Sequence, residues 1–336
     1  MSVRLLAVFA MAASLAACAS IDGPDEIAPH PRLTEPVSAP SVTEGIEQYM
    51  QQRARVESVG FRLRRAAEPD CRKLNRTRND LGIVVWSLAS FPNADDQARL
   101  RGAYGLDNSV TVAIAIEGAP ARKAGLSNGD VITHVNGEVL PVGTGATDRF
   151  IARSNAAARA GAVTLRLKGG REISIPPDAV CDYPALLVRS PDTNAAADGT
   201  SFAITTGLYD VTRSDDELAV ILGHELAHNV LGHLAAGTTA AGSSTTGRLL
   251  EAFTRSSISA ALSSAATPAH DPKKEIEADR FGLQLMVRAG FDITAADTMW
   301  TRLNRNGSAT LISRTHPTGT DRQAALRKAI EELKGR

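Results

Sequence analysis

The sequence predicts an α+β chain in which a small β-rich module precedes a mainly helical body with a small sheet of its own. Three observations predict it. Residues 81–140 hold β-branched runs, LGIVVWSLA and VTVAIAI, punctuated by the turn signals Asn128-Gly129-Asp130 and Asn136-Gly137. From about residue 186 two short strand patterns, ALLVRS and TSFAITTGLYDV, give way to long segments with helical spacing. One of these, with an apolar face that includes Leu218, Ile221, Leu222 and Leu226, follows Asp215 and Asp216, either of which can cap a helix.

A chain of 336 residues has room for two domains of ordinary size. Lys+Arg and Asp+Glu both total 37, which argues against a chain-wide basic footprint for nucleic acid. No apolar run in the body approaches the ~20 residues that span a bilayer. The N-terminus differs. MSVRLLAVFAMAASLAACAS carries Arg4, an apolar core from Leu5 to Ala13, then small residues, the build of a secretory signal over 1–17. Leu15-Ala16-Ala17-Cys18 resembles a bacterial lipobox, which implies lipidation of Cys18; ordinary cleavage after Ala19 is the alternative. Ala19 resembles the outer-membrane sorting pattern, so a lipid anchor in that membrane, facing the periplasm, is expected. Residues 18–43, with prolines at 24, 29, 31, 36 and 40, read as an extended tether. With Cys18 lipidated, Cys71 and Cys181 remain, an even number that suggests one disulfide in an oxidising compartment; two separate thiols are the alternative.

Residues 44–79 carry a helical pattern (Ile46, Tyr49, Met50, Val56, Val59, Leu63) and are expected to link the tether to the β-rich module. Within that module, 110–116 reads as a strand, 119–124 as a short helix ended by Gly125, 131–135 as a second strand and 148–159 as a helix. VTLRLKGG with REISI then closes a hairpin. The run GAPARKAGLSNGDVITHVNG is similar to the most characteristic segment of PDZ domains. The resemblance covers 80–182 and implies binding of peptide termini by strand addition at a sheet edge; a spacer or lid is the alternative. Tyr104, Gly105 and Leu106 are the candidate carboxylate-cradling loop, although they depart from the family's Gly-Leu-Gly-Phe form. A PDZ domain brings its ends together, so a Cys71–Cys181 bond would clip its base.

The stretch Ile221–His233, ILGHELAHNVLGH, holds the chemistry. At about 100° per residue, His224 and His228 lie ~40° apart on one helix face, with Glu225 beside them. This is H-E-x-x-H, in which two imidazoles take a zinc and the glutamate reaches its water. His233 would lie ~180° from His224 on a continuous helix, so it is expected to be a helix-end residue rather than a ligand. The third ligand is sought in KKEIEADRFGLQLM, where Glu275 and Asp279 share a face four residues apart. One carboxylate completes a His₂Glu site and another orients an imidazole.

Together HELAH, EIEAD and RTHPTGTDR resemble, over 186–336, the zinc metalloprotease family of HtpX, BepA and the CAAX prenyl protease. The resemblance implies a zincin-type fold, one zinc per chain held by His224, His228 and Glu275 rather than Glu277, Asp279 behind an imidazole, and Glu225 as general base. Without long apolar helices the chain looks like the soluble, periplasmic BepA-like branch, with unfolded or misfolded envelope proteins as substrates. A PDZ-like module stands in place of that branch's C-terminal repeats. The histidine-proline pair at His316 implies a latch in the fourth zinc position. A transition-state donor, with Arg322 as rival, and a surface histidine are the alternatives. The strand 201–208 is the candidate edge for an extended substrate, and Ala235–Pro268, rich in Ala, Ser, Thr and Gly, a flap beside the cleft. Two other classes stay open: a PDZ-based binding or chaperone protein with a mostly inactive site, and a hydrolase of something other than protein.

Overall fold

A computed structural model describes residues 45–233, 271–305, 316 and 319–335. The expected signal segment, the expected lipidation site Cys18, the expected tether and the expected flap lie outside these residues. In chain order the elements are helices α1 (Ile46–Ala66) and α2 (Glu68–Lys73), then strands β1 (Thr77–Asp80) and β2 (Ile83–Trp86). Helix α3 (Ala94–Tyr104), β3 (Val110–Ala115), α4 (Pro120–Lys123), β4 (Val131–Val135) and β5 (Glu138–Val139) follow. Next come α5 (Ala146–Ala160), β6 (Val163–Leu167), β7 (Glu172–Ile175) and β8 (Asp178–Cys181). The remainder is β9 (Ala185–Val188), β10 (Ala195–Ala197), β11 (Phe202–Thr205), α6 (Thr206–Tyr209), α7 (Asp215–Val230), α8 (Pro272–Ala289), α9 (Ala295–Arg305) and α10 (Thr320–Lys334). None of the described helices is long and apolar enough to cross a membrane.

The β-rich module is an antiparallel sheet in the order β2-β3-β4-β6-β7, with β5 paired to β4. Its turns follow the residues that signalled them. Asn136 and Gly137, both at positive φ, reverse the chain so that Val135 faces Glu138. Gly169 and Gly170 do the same between β6 and β7. Val112, Ile132, Val135, Phe150, Val163, Leu165 and Ile175 fill a core of their own between the sheet and α5.

The expected carboxylate loop is built differently. Tyr104 is the last residue of α3 and packs edge-on against Trp86, ring centres 5.2 Å apart; Gly105 caps the helix in the left-handed region; Leu106 is buried. The strand that follows, β3, is flanked by β2 and β4 and so offers no edge. At this end of the sheet the edge strand is β2. The strand at 201–208 is corrected likewise. Its β11 is the middle of a three-stranded sheet, β10-β11-β9, antiparallel to β10 and parallel to β9. The alternating Phe202 and Ile204 that mark it as a strand are buried in the core shared with the long helices.

Helix α1 is more than a linker. Val56, Val59, Phe61 and Leu63 lie in one core with Leu218, Leu222 and Leu226 of α7 and with Leu283 and Leu285 of α8. Gly60 lets the same helix lie close on β9: a Cβ there would stand 2.5 Å from the Cβ of Ala185.

The β-rich module joins this core through Val84, Trp86 and Ile114 of its sheet, and two polar or covalent features reinforce the tie. Cys71 of α2 and Cys181 of β8 are disulfide-bonded, their Cα atoms 5.4 Å apart, where β1 and β8 pair. Beside them Arg64 of α1 donates to Asp80 of β1 at 3.0 Å, and Arg78 donates to the same carboxylate at 2.5 Å. Burial opposes a charge on Asp80, but the Arg78 and Arg64 guanidiniums outweigh it and hold its carboxyl well below the usual range.

Thiol titration of the unreduced, denatured protein should leave Cys71 and Cys181 unlabelled. The cross-link spans 110 residues and is worth ~4–5 kcal/mol in the chain-entropy account, so reduction should lower the urea midpoint. Replacing Asp80 by Asn strands the buried Arg64 guanidinium and takes a partner from the half-buried Arg78, and should cost ~3–5 kcal/mol at neutral pH. A carboxyl held low in the folded state loses its contribution as pH falls. The gap between wild type and Asp80→Asn in urea unfolding should therefore narrow as pH drops from ~5 towards the depressed folded value.

Candidate metal centre

Helix α7 starts at Ser214, whose Oγ accepts from the Glu217 amide at 3.1 Å, while the Glu217 carboxylate accepts from the Arg213 amide at 2.8 Å. Ser214, rather than Asp215 or Asp216, is the cap. Helix α8 begins with Asp271, which accepts from the Lys273 amide, and Pro272 in its first turn. The two helices meet backbone to backbone. A Cβ on Gly282 would come within 3.1 Å of the Gly223 carbonyl carbon and the His224 amide nitrogen. Because Glu275, Asp279 and Gly282 share one face of α8, a contact this close next to His224 sets both carboxylates against the α7 imidazoles.

Four side chains converge there. His224, His228, Glu275 and His316 each turn a ligating atom inward, all within 4.8 Å of one another. His224 Nε2 lies 3.0 Å from His228 Nε2, 3.4 Å from Glu275 Oε2 and 3.2 Å from His316 Nδ1. His228 Nε2 lies 3.3 Å from Glu275 Oε1, and His316 Nδ1 lies 3.1 Å from Glu275 Oε2. Tetrahedral zinc with bonds of roughly 2.0–2.1 Å holds its ligand atoms roughly 3.3 Å apart, so this spacing fits the ion. Imidazole with carboxylate is also a donor set that suits zinc.

The surroundings fix the ligands. Asp279 Oδ1 lies 2.8 Å from His224 Nδ1, which directs Nε2 inward. Arg322 of α10 grips Asp279 with Nε and Nη2 at 2.6 and 2.8 Å and reaches Glu275 Oε2 with Nη1 at 2.9 Å. All of these residues are buried. Burial works against a charged His224, yet its bonds to Asp279 and Glu275 prevail and raise it to about 10. Burial pushes His228 down to about 4. For Asp279 the Arg322 bond outweighs burial and leaves it at about 2, and the three imidazoles hold Glu275 far below the carboxylate range. The buried carboxylates favour positive charge among the imidazoles, which a divalent cation would supply.

Glu225 faces the same space. Its Oε1 lies 3.2 Å from His316 Nε2, and its Oε2 is buried without a hydrogen-bond partner. His233 is a helix-end residue outside the converging set, as expected, but it does not lie where a continuous helix would put it. The helix ends at Val230, Gly232 takes a left-handed φ of 68°, and the His233 amide bonds back to the His228 carbonyl at 3.0 Å. The ring therefore folds against His228 instead of pointing away, with Nδ1 3.2 Å from His228 Nδ1 and Nε2 3.2 Å from Glu277 Oε2. The assumption of a continuous helix missed this; Gly232, a helix-stop residue, was the signal. Asn229 was also missed. It spans α7 to the β10–β11 turn, donating to Ser201 O and accepting from the Gly199 amide.

The model of peptidase family M48 matches residues 162–330, half of the chain. The chain belongs to peptidase family M48. All four converging residues fall inside the matched region, and the family uses zinc. The mitochondrial metalloendopeptidase OMA1 of Arabidopsis thaliana is 32% identical over 152 residues, covering 44% of this chain and 31% of that protein. Its namesake in Schizosaccharomyces pombe is 30% identical over 169 residues, covering 44% and 45%. A putative beta-barrel assembly-enhancing protease of Vibrio cholerae is 29% identical over 150 residues, covering 40% and 31%. The chain thus spans less than half the length of each of these relatives.

The glycine contact can be probed without touching a ligand. Gly282→Ala pushes α8 away from α7 and should cost ~1–3 kcal/mol of stability. It should also weaken zinc binding, read by competition with a chromophoric chelator, because Glu275 moves with its helix.

Proposed function

We propose that this M48 chain is a lipid-anchored periplasmic zinc metalloendopeptidase that cleaves unfolded or misfolded envelope proteins. The observation that carries the reading is the convergence of two HExxH imidazoles and Glu275 at zinc-ligand spacing, with a buried carboxylate beside them. Zinc there supplies a Lewis acid and lowers the pKa of water towards ~7. Glu225 Oε2, buried and unpartnered, takes the proton from the attacking water and returns it to the leaving amine. Asp279 and Arg322 hold His224 and Glu275 in place. The edge strand β10, joined through the β10–β11 turn to Asn229 of α7, is the place for an extended substrate. The names of the relatives, two metalloendopeptidases and one putative protease, support the reaction class.

His316 is read as a latch. Its Nδ1 stands at the fourth corner of the ligand set, where water and substrate carbonyl would compete for place, while its Nε2 engages the general base. A surface role does not fit its burial. The β-rich module is read as PDZ-like, with β2 the edge for a peptide terminus. This supports a second reading, a peptide-binding envelope protein whose latched site rarely turns over.

Three measurements separate these readings. Glu225→Gln should keep stoichiometric zinc and lose casein hydrolysis by at least a hundredfold; turnover equal to wild type would refute the general base. Chelator should abolish degradation in wild type, whereas the binding reading expects capture of unfolded protein with or without chelator. His316→Ala should hydrolyse peptides several-fold faster with zinc retained. A rate lowered tenfold or more would instead make His316 a transition-state donor.

A further inference from the structure

The EIEAD segment offers three carboxylates, of which the zinc site as described uses Glu275 and Asp279. We propose that the third, Glu277, works through His233 as an outer relay that fixes the tautomer and orientation of His228; this rests on the zinc reading above. His228 turns Nε2 towards the other ligands, so as a ligand it must carry its proton on Nδ1. That proton needs an acceptor, and the atom facing it, 3.2 Å away, is His233 Nδ1. His233 accepts only if its own proton sits on Nε2, and Nε2 points at Glu277 Oε2 at 3.2 Å. One assignment satisfies the whole chain: His228 Nδ1–H donates to His233 Nδ1, and His233 Nε2–H donates to the Glu277 carboxylate. The reverse tautomers would place a proton on His228 Nε2, where the metal must bind.

The backbone is shaped for this contact. Gly232 in the left-handed region reverses the chain after α7, and the His233 amide bonds to the carbonyl of His228 itself. Lys274 Nζ then holds the His233 carbonyl at 3.0 Å, tying the turn to α8 two residues after Pro272 begins the helix. The His233 side chain is only 6% exposed, although it sits at a helix end. The two imidazole ligands are thereby oriented by one short segment: His224 directly by Asp279, His228 through His233 by Glu277. Such partners raise ligand basicity and typically change metal affinity 10–100-fold.

His233 is thus a positioning residue, and the test reads the metal rather than turnover. Zinc affinity of the full chain is measured by chelator competition, alongside the visible spectrum of the cobalt-substituted protein and the Tm with excess EDTA. His233→Ala should weaken zinc binding roughly ten- to a hundredfold and alter the cobalt bands, with the EDTA Tm unchanged. His233→Asn, whose side-chain oxygen can stand where Nδ1 accepts, should recover most of the affinity. Glu277→Ala should weaken binding in the same direction but less, since Glu277 is 66% exposed. Wild-type affinity in His233→Ala would overturn the relay alone. So would equal weakening in the Ala and Asn variants accompanied by a lowered EDTA Tm, which marks a packing residue. Failure of wild type to bind one zinc would overturn the metal reading itself.

Discussion

The arrangement depends on one close approach, Gly223 of α7 against Gly282 of α8. Helix axes with ordinary side chains between them stay about 8–10 Å apart. Glycine on both sides brings backbones into contact, and the contact falls one residue before His224. On α8 the same face carries Glu275 and Asp279, seven and three residues before Gly282, a spacing that places all three in one stripe. A short carboxylate side chain reaches an imidazole on the facing helix only at such a separation. Helix α1 then closes the far side of the pair, which is why a segment that reads as a linker is buried in the core with both ligand helices.

Electrostatics complete what packing begins. Glu275 is fully buried and Asp279 nearly so, and a buried carboxylate is costly unless its charge is met. Arg322 meets both, and its guanidinium also lies over the Trp300 ring, 5.3 Å from the centre. The C-terminal helix α10 is thereby fastened to the ligand set rather than merely packed beside it. A comparable device holds the β-rich module, where Arg64 of α1 and Arg78 share Asp80 next to the disulfide. In the first case one guanidinium serves two carboxylates, in the second one carboxylate serves two guanidiniums, and each joins separate elements.

Much of this was legible in the residues, and the limits have physical causes. The pairing of His224 with His228, and of Glu275 with Asp279, could be read because helical periodicity fixes which side chains share a face; choosing Glu275 over Glu277 rested on the family resemblance. Asn136-Gly137 could be read because only such residues accept the positive φ of a tight hairpin turn. Pairing was less legible. Phe202 and Ile204 announce a buried strand, but local pattern does not say which neighbours it has, so β11 read as an edge and proved central. Tyr104 and Leu106 read as a loop, while their roles come from Trp86 and the core beneath, contacts distant in sequence. His233 was misplaced by continuing a helix past a glycine that ends it.

The proposed latch has an energetic consequence that follows from its two ends. His316 Nδ1 faces the ligand set while Nε2 holds Glu225, so one side chain both occupies the fourth corner and engages the base. Opening requires giving up both contacts together. If each is worth about 0.5–1.5 kcal/mol net, the closed state is favoured by roughly 1–3 kcal/mol, or about 5- to 150-fold in population. A substrate that binds only the open state is weakened by that same factor unless its own contacts supply the difference. An extended, unfolded segment able to pair along β10 and enter the site would supply it. A folded surface, with its backbone groups already paired, has little to offer an edge strand. The latch would thus set a threshold that discriminates by the availability of unpaired backbone, the property in which an unfolded envelope protein differs from a folded one.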